Sequence, residues 1–126
     1  IKNKVNINFP EIIFSTKQVD SFDFKSIISP IVIKANHGSG MYDIIKNPKN
    51  ISWKNKLPLY KIWLSKNFYY DWAEPQYKNI KPILYGVELL IDCNGNEVID
   101  YKFHCINGNI EFIHVASDRT GNTKRN

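Results

Sequence analysis

IVIKANHGSG, residues 31–40, is the stretch on which the reading of this chain turns. Ile31, Val32 and Ile33 are β-branched and follow Pro30, the pattern of a short strand opened by a proline. Lys34 puts a charge near the strand's end. Gly38, Ser39 and Gly40 then stop the strand, and MYDIIKN at 41–47 reads as its return. The expected unit is an antiparallel hairpin with a glycine-rich tip. Glycines let backbone N–H groups approach a ligand closely, and several N–H groups in one turn form an anion-binding concavity. Ser39 adds a hydroxyl, His37 a ring donor and Lys34 a full positive charge. That set suits a polyphosphate. It is not a Walker loop, because the lysine precedes the glycines, and it is not GxGxxG. Glycine–serine turns also join strands that bind nothing, so the loop alone leaves both readings open.

Working outward, FPEIIFSTKQV at 9–19 reads as a strand entered through Pro10. DSFDFKSI at 20–27 reads as a turn followed by a short helical or irregular link. In KLPLYKIWLSKNFYYDWAEP, 56–75, Leu57, Tyr60, Leu64 and Phe68 recur at helical spacing, with Trp63 alongside and Lys61, Ser65 and Lys66 opposite. Asn55 is the expected N-cap, Pro58 falls in the first turn and Pro75 ends one long helix. ILYGVELLID (83–92), EVIDYKFHCI (97–106) and IEFIHVA (110–116) are expected to form an antiparallel meander, with DCNGN as the first turn. Asn107-Gly108 is a strong hairpin signal for the second. The fold class is α+β in a single domain, with no internal repeat and no linker.

The chain has 126 residues, 43% of them apolar and 17 of them aromatic, enough for a sizeable core. Its net charge is +5, but fifteen of the 17 cations are lysine and two are arginine. Proteins that read nucleic-acid grooves lean on arginine, so no nucleic-acid partner is expected. Cys93 and Cys105 form no CxxC pair, which argues against zinc and for reduced, buried thiols. No apolar run reaches the roughly 18–20 residues of a bilayer span, so no transmembrane segment is expected, and without a leader pattern the expected location is cytoplasmic. A chain that opens on Ile1 and closes on NTKRN reads as a piece of a longer protein lacking both ends.

Further chemistry-bearing residues cluster in the second half. Glu88 is a lone acid inside an apolar run, a costly placement unless it is hydrogen-bonded or paired. Asp100 and Lys102 share a strand face with Val98 and His104, while Ile99, Tyr101, Phe103 and Cys105 lie opposite. The polar face is either a solvated exterior or the floor of a cleft. Trp53, Trp63 and Trp72 could stack on sugar rings, although core packing and loop anchoring are the plainer reading. His104 and His114 read as ordinary sheet histidines.

Several blocks stand together in order: VIKANHGSG (32–40), WLSKNFYYDWAEPQYKNIKPILYGVELLID (63–92), DYKFHCINGNIEFIHVASDR (100–119) and KRN (124–126). They resemble the ATP-grasp enzymes of the TupA-like (teichuronopeptide biosynthesis-like) family, across roughly residues 9–126. The resemblance implies two α+β lobes that hold ATP between their sheets, a magnesium cofactor, and ligation through an acyl phosphate. The partners it implies are ATP, a carboxylate substrate and a polysaccharide or amine acceptor, in cell-surface polysaccharide biosynthesis. It assigns Lys34 to the nucleotide phosphates, and His37, Gly38, Ser39 and Gly40 to the loop that folds over them. Glu88, Leu89, Leu90 and Ile91 match the hinge whose backbone meets adenine, and Asp100 and Lys102 come within reach of ribose or phosphate. Asp118 becomes the candidate metal ligand and Arg119 the candidate catalytic phosphate clamp. Lys34, the tip and the Glu88 carboxylate are expected to face one groove. A nucleotide- or glycan-binding remnant without turnover, and a polysaccharide-modifying transferase, are the alternative readings.

Overall fold

The computed structural model describes residues 9–96 and 98–116. The chain divides into two compact units, Ile1–Leu89 and Leu90–Asn126. In the first unit, strands β1 (Ile12–Thr16), β2 (Ile31–Ala35), β3 (Tyr42–Ile45) and β4 (Leu84–Glu88) form one antiparallel sheet in the order β1-β4-β2-β3. In the second, β5 (Asp100–Ile106) and β6 (Asn109–Ala116) form a two-stranded hairpin. The combination is α+β.

The three-stranded meander expected for the C-terminal half is not formed. β4 leaves β5 and β6 and inserts between β1 and β2. Its sequence explains why: Leu84, Gly86 and Val87 are all buried, and a near-continuous apolar run suits the middle of a sheet better than an edge. Beyond Glu88 the strand stops, and residues 92–96 close a turn around Asp92. The backbone N–H groups of Asn94 and Asn96 both donate to its Oδ1 at 2.8 Å. The Asn96 N–H foremost, with further donors from Asn94 and Gly95, holds that carboxyl below its usual pKa. The β5–β6 turn follows its sequence signal. Asn107 and Gly108 adopt φ of 51° and 83°, the pair of positive values that an Asn-Gly hairpin turn requires.

The long helix is two. α1 (Trp53–Ser65) starts earlier than expected, with Ser52 as N-cap, which places Pro58 inside the helix. α2 (Phe68–Trp72) follows after Lys66 turns extended. The helical periodicity runs through this junction, but Asn67 caps the second helix: its side-chain oxygen accepts from the Tyr69 N–H at 3.1 Å. Trp53, Tyr60 and Trp63 are the buried residues of α1, with Leu57, Leu64 and Phe68 packed at the margin. They close over Phe14, Ile31, Ile33, Ile45 and Leu84 on one sheet face. The link at 20–27 contributes two 3-10 turns, Val19–Ser21 and Phe24–Ser26. Phe24 from the second contacts both Trp53 and Tyr60.

One polar tie fastens α1 to β3. The Tyr60 hydroxyl, in a residue with no exposed surface, donates to Asp43 Oδ2 at 2.8 Å, and Lys56 Nζ lies 2.8 Å from the same oxygen. Burial, then the hydrogen bond to Asp43 and its negative charge, raise the phenol pKa far above its ordinary value. A raised tyrosine pKa favours the neutral, folded form, so its contribution is intact below the unfolded value near 10 and drains as pH climbs above it. We expect the folded state to lose about 1.4 kcal/mol from this group by pH 11. Tyr60→Phe should be less stable at pH 8 by roughly 1–2 kcal/mol, because Asp43 loses a donor, and should show a shallower alkaline decline. Urea unfolding across pH 8–11 makes the comparison; parallel declines would remove Tyr60 as the cause.

Candidate functional site

The sheet's second face, away from α1, carries the candidate residues of the first unit. Register sets them in two cross-strand rows. Ser15, Tyr85, Lys34 and Tyr42 stand side by side on β1, β4, β2 and β3. Ile12, Val87, Val32 and Ile44 form the next row, two residues along each inner strand, which is about 7 Å away. Lys34 is half-buried between the two tyrosines. No carboxylate of the described residues pairs with it. A lysine with no counter-charge among the described residues makes a favourable seat for an anion.

The glycine loop begins where this row ends. Ala35 N–H donates to the Met41 carbonyl at 3.0 Å and closes the hairpin. Asn36 follows, with its N–H on the Ile83 carbonyl at 3.1 Å. Its side-chain amide donates to the Lys81 carbonyl at 3.1 Å and accepts from the Ile83 N–H at 2.8 Å. His37 is 2% exposed, with Nε2 2.9 Å from the Trp63 carbonyl. Its ring is therefore turned into the protein. A Cβ on Gly38 would lie 2.4 Å from Met41 Cε and 2.5 Å from the Phe68 ring. The space left by that missing side chain is already taken. Ser39 and Gly40 are exposed, and nothing stands within 4 Å of a Cβ built on Gly40.

Glu88 sits at the other end of β4, opposite Ile31. Tyr85 is the residue level with Lys34, so Glu88 is an odd number of positions away and its side chain belongs to the opposite sheet face. The single groove expected to hold both Lys34 and the Glu88 carboxylate is not formed. Instead, Glu88 Oε1 accepts the Glu11 N–H at 3.1 Å. The backbone N–H groups of Glu88 and Leu89 donate to the Glu11 and Pro30 carbonyls. Leu90 and Ile91 are exposed, and the boundary between the two units falls between Leu89 and Leu90, inside the expected hinge.

In the second unit, Asp100 and Lys102 do share a face, with Lys102 Nζ 4.0 Å from Asp100 Oδ2. Lys102 pairs with His114, and His104 stacks on Phe112 with ring centroids 4.2 Å apart. The facing strand makes this surface mixed and not wholly polar. Asp118 and Arg119 lie outside the described residues. Among the described residues no group of three or more His, Cys, Asp and Glu side chains could hold a metal ion. Trp53 and Trp63 are buried core residues, whereas Trp72 is exposed beside Phe68. Cys93 and Cys105 are free thiols, but both are exposed, contrary to the expected burial. No helix of the described residues is long and apolar enough to cross a membrane.

Sequence reasoning singled out Lys34 and the loop as candidates, and the structure sets Tyr42, Tyr85 and Asn36 beside them. The two tyrosines join Lys34 only through strand pairing. Alternation within LYGVE and YDII hinted at their face but not at their neighbour.

Lys34 thus stands on the sheet face away from α1, at the end of the strand that runs into the glycine-rich tip. The family model described as TupA-like ATPgrasp matches residues 2–126. The chain belongs to the TupA-like ATP-grasp family. Membership indicates a nucleotide-binding domain of a ligase-type enzyme. No curated protein and no solved structure matches the chain.

Proposed function

We propose that this chain binds ATP and belongs to an ATP-dependent carboxylate–amine ligase of cell-surface polysaccharide biosynthesis. The observation that carries the reading is Lys34, half-buried and without a carboxylate partner among the described residues, in the Tyr85–Lys34–Tyr42 row next to the exposed Ser39–Gly40 tip. The phosphates lie against Lys34, with the tip's N–H groups and the Ser39 hydroxyl as donors. Val32 and Ile44, half-buried on the same sheet face two residues along from Lys34 and Tyr42, are the apolar side chains offered to the base, with the backbone of Glu88, Leu89, Leu90 and Ile91 as the expected partner of its edge. Of the second unit taken by itself, Asp100 and Lys102 are the candidates for a ribose or phosphate contact. Magnesium is the expected cofactor, with Asp118 a candidate ligand and Arg119 a candidate clamp on the transferred phosphoryl group.

The reaction proposed is acyl-phosphate chemistry. A carboxylate oxygen of the substrate attacks the γ-phosphorus, and the bond to the β–γ bridging oxygen breaks to release ADP. An amine then attacks the acyl carbon and expels inorganic phosphate. Charge neutralisation of the phosphates is the protein's main contribution to such a transfer. The test uses the full-length protein, ATP, magnesium and a set of amino acids with a polysaccharide acceptor, followed by mass spectrometry of products and phosphate. Oxygen label placed in the carboxylate should appear in the released phosphate. ATP binding without any carboxylate-dependent ADP formation would refute the ligase assignment and leave a nucleotide-binding module.

A further inference from the structure

We infer that Asn36 and His37 are positioning residues that clamp the first half of the glycine loop, so that only Ser39 and Gly40 are free to close on a ligand. The inference rests on the nucleotide reading of that loop. It differs from the sequence expectation for His37, which gave the imidazole a direct role at the phosphates.

Three consecutive residues are fixed to three different parts of the fold. Asn36 uses its N–H, its amide nitrogen and its amide oxygen on the backbone at Lys81 and Ile83. Lys81 and Ile83 offer main-chain groups of known polarity, so the amide can be oriented only one way, and its oxygen also lies 3.3 Å from His37 Nδ1. His37 reaches the end of α1. The Trp63 carbonyl already accepts the Lys66 N–H at 3.2 Å, and His37 Nε2 fills its second lone pair. A carbonyl only accepts, so Nε2 carries the proton and is not available to a phosphate. Gly38 then rests against Phe68, the first residue of α2, so closely that no side chain fits. The α1–α2 break thereby becomes the seat of the loop. For Ser39 and Gly40 no such tie is made among the described residues, and the chain is held again at Met41, whose carbonyl accepts from the Ala35 N–H. Gly40 has φ of 74° and open space around it.

The consequence is a loop with a fixed root and a two-residue tip. The root decides where the Ser39 and Gly40 N–H groups stand relative to Lys34. Loss of the clamp should weaken ATP binding without removing any group that touches ATP.

The experiment compares the full-length protein with His37→Phe, His37→Gln and Asn36→Ala. ATP affinity comes from calorimetry, and amide hydrogen exchange at Asn36–Gly38 is followed in the absence of nucleotide. His37→Phe keeps the ring volume and loses the donor; we expect ATP to bind about tenfold more weakly, the scale of one hydrogen bond. Exchange in the nucleotide-free loop should rise. His37→Gln offers an amide donor near the Nε2 position and should restore most of both. Asn36→Ala cuts the other anchor and should weaken binding with the His37 ring in place; it also carries the test if His37→Phe does not fold. Weaker binding with unchanged exchange in nucleotide-free His37→Phe would overturn the clamp and return the imidazole to direct contact. Unchanged affinity in both His37→Phe and Asn36→Ala would overturn it as well. Should the parent protein bind no ATP, the nucleotide reading falls, while the exchange comparison still decides whether the two residues hold the loop.

Discussion

Gly86→Ala should destabilise the first unit by about 3 kcal/mol or more, at the upper end of what an added methyl costs in a packed core. The added Cβ would lie 2.4 Å from Ile31 Cδ1, 2.4 Å from Phe14 Cε1 and 2.7 Å from Phe14 Cδ1. Neither neighbour has room to retreat. Ile31 has no exposed surface, and the Phe14 ring stacks on Phe22 at 4.2 Å while meeting Phe24 edge-on at 5.5 Å. The backbone at Gly86 has no positive φ, so the penalty is one of packing and not of strand conformation. Shrinking the obstacle separates the two: Phe14→Leu should cost stability alone but recover part of the loss when combined with Gly86→Ala, giving a clear non-additive cycle. Urea unfolding measures this as a fall in the midpoint by roughly 1 M or more at constant slope. If the alanine variant unfolds at the parent's midpoint, β1, β4 and β2 are not packed as closely as described.

The same position explains what the sequence could and could not tell. Pro30, the β-branched run after it and the Gly38–Gly40 tip determine the β2–β3 hairpin through local preferences, and Asn107-Gly108 does the same for β5–β6. These elements were legible because each residue's own conformational bias agrees with its place. The apolar run around Gly86 marked a buried strand, but nothing local says which strands flank it. Its insertion between β1 and β2 is decided by the fit of Phe14 and Ile31 over a missing side chain, a contact between residues more than fifty positions apart. The helix break failed for the opposite reason. Periodicity pointed through Asn67, while the cap that Asn67 forms with the Tyr69 N–H is a local alternative that periodicity ignores. The candidate site divides along the same line. Lys34 and the free tip could be read directly. The tyrosines beside Lys34, the anchoring of Asn36 and His37, and the turning of Glu88 to the other sheet face all follow from strand register, which becomes visible only once the strands are paired.

Lys34 itself gives the sharpest test of the nucleotide reading. Lys34→Met replaces the ammonium with a neutral chain of similar length, so it removes charge with little change in packing. A charge-assisted hydrogen bond to phosphate in a partly desolvated setting contributes about 1.5–3 kcal/mol, so ATP should bind roughly 10- to 150-fold more weakly. Stability should move the other way or not at all. Among the described residues no carboxylate loses a partner when this charge goes, and a methionine is at least as well suited as a lysine to a half-buried position. Lower affinity with an unchanged or raised melting temperature is a pairing that misfolding cannot imitate. Lys34→Arg should retain part of the binding, since the charge persists but is carried by a bulkier, planar group. Added salt should narrow the gap between the parent and Lys34→Met, because a phosphate contact on an open sheet face is partly screened. Equal ATP affinity in the parent and Lys34→Met, at low salt and in folded protein, would mean that this face of the sheet is not where the phosphates lie.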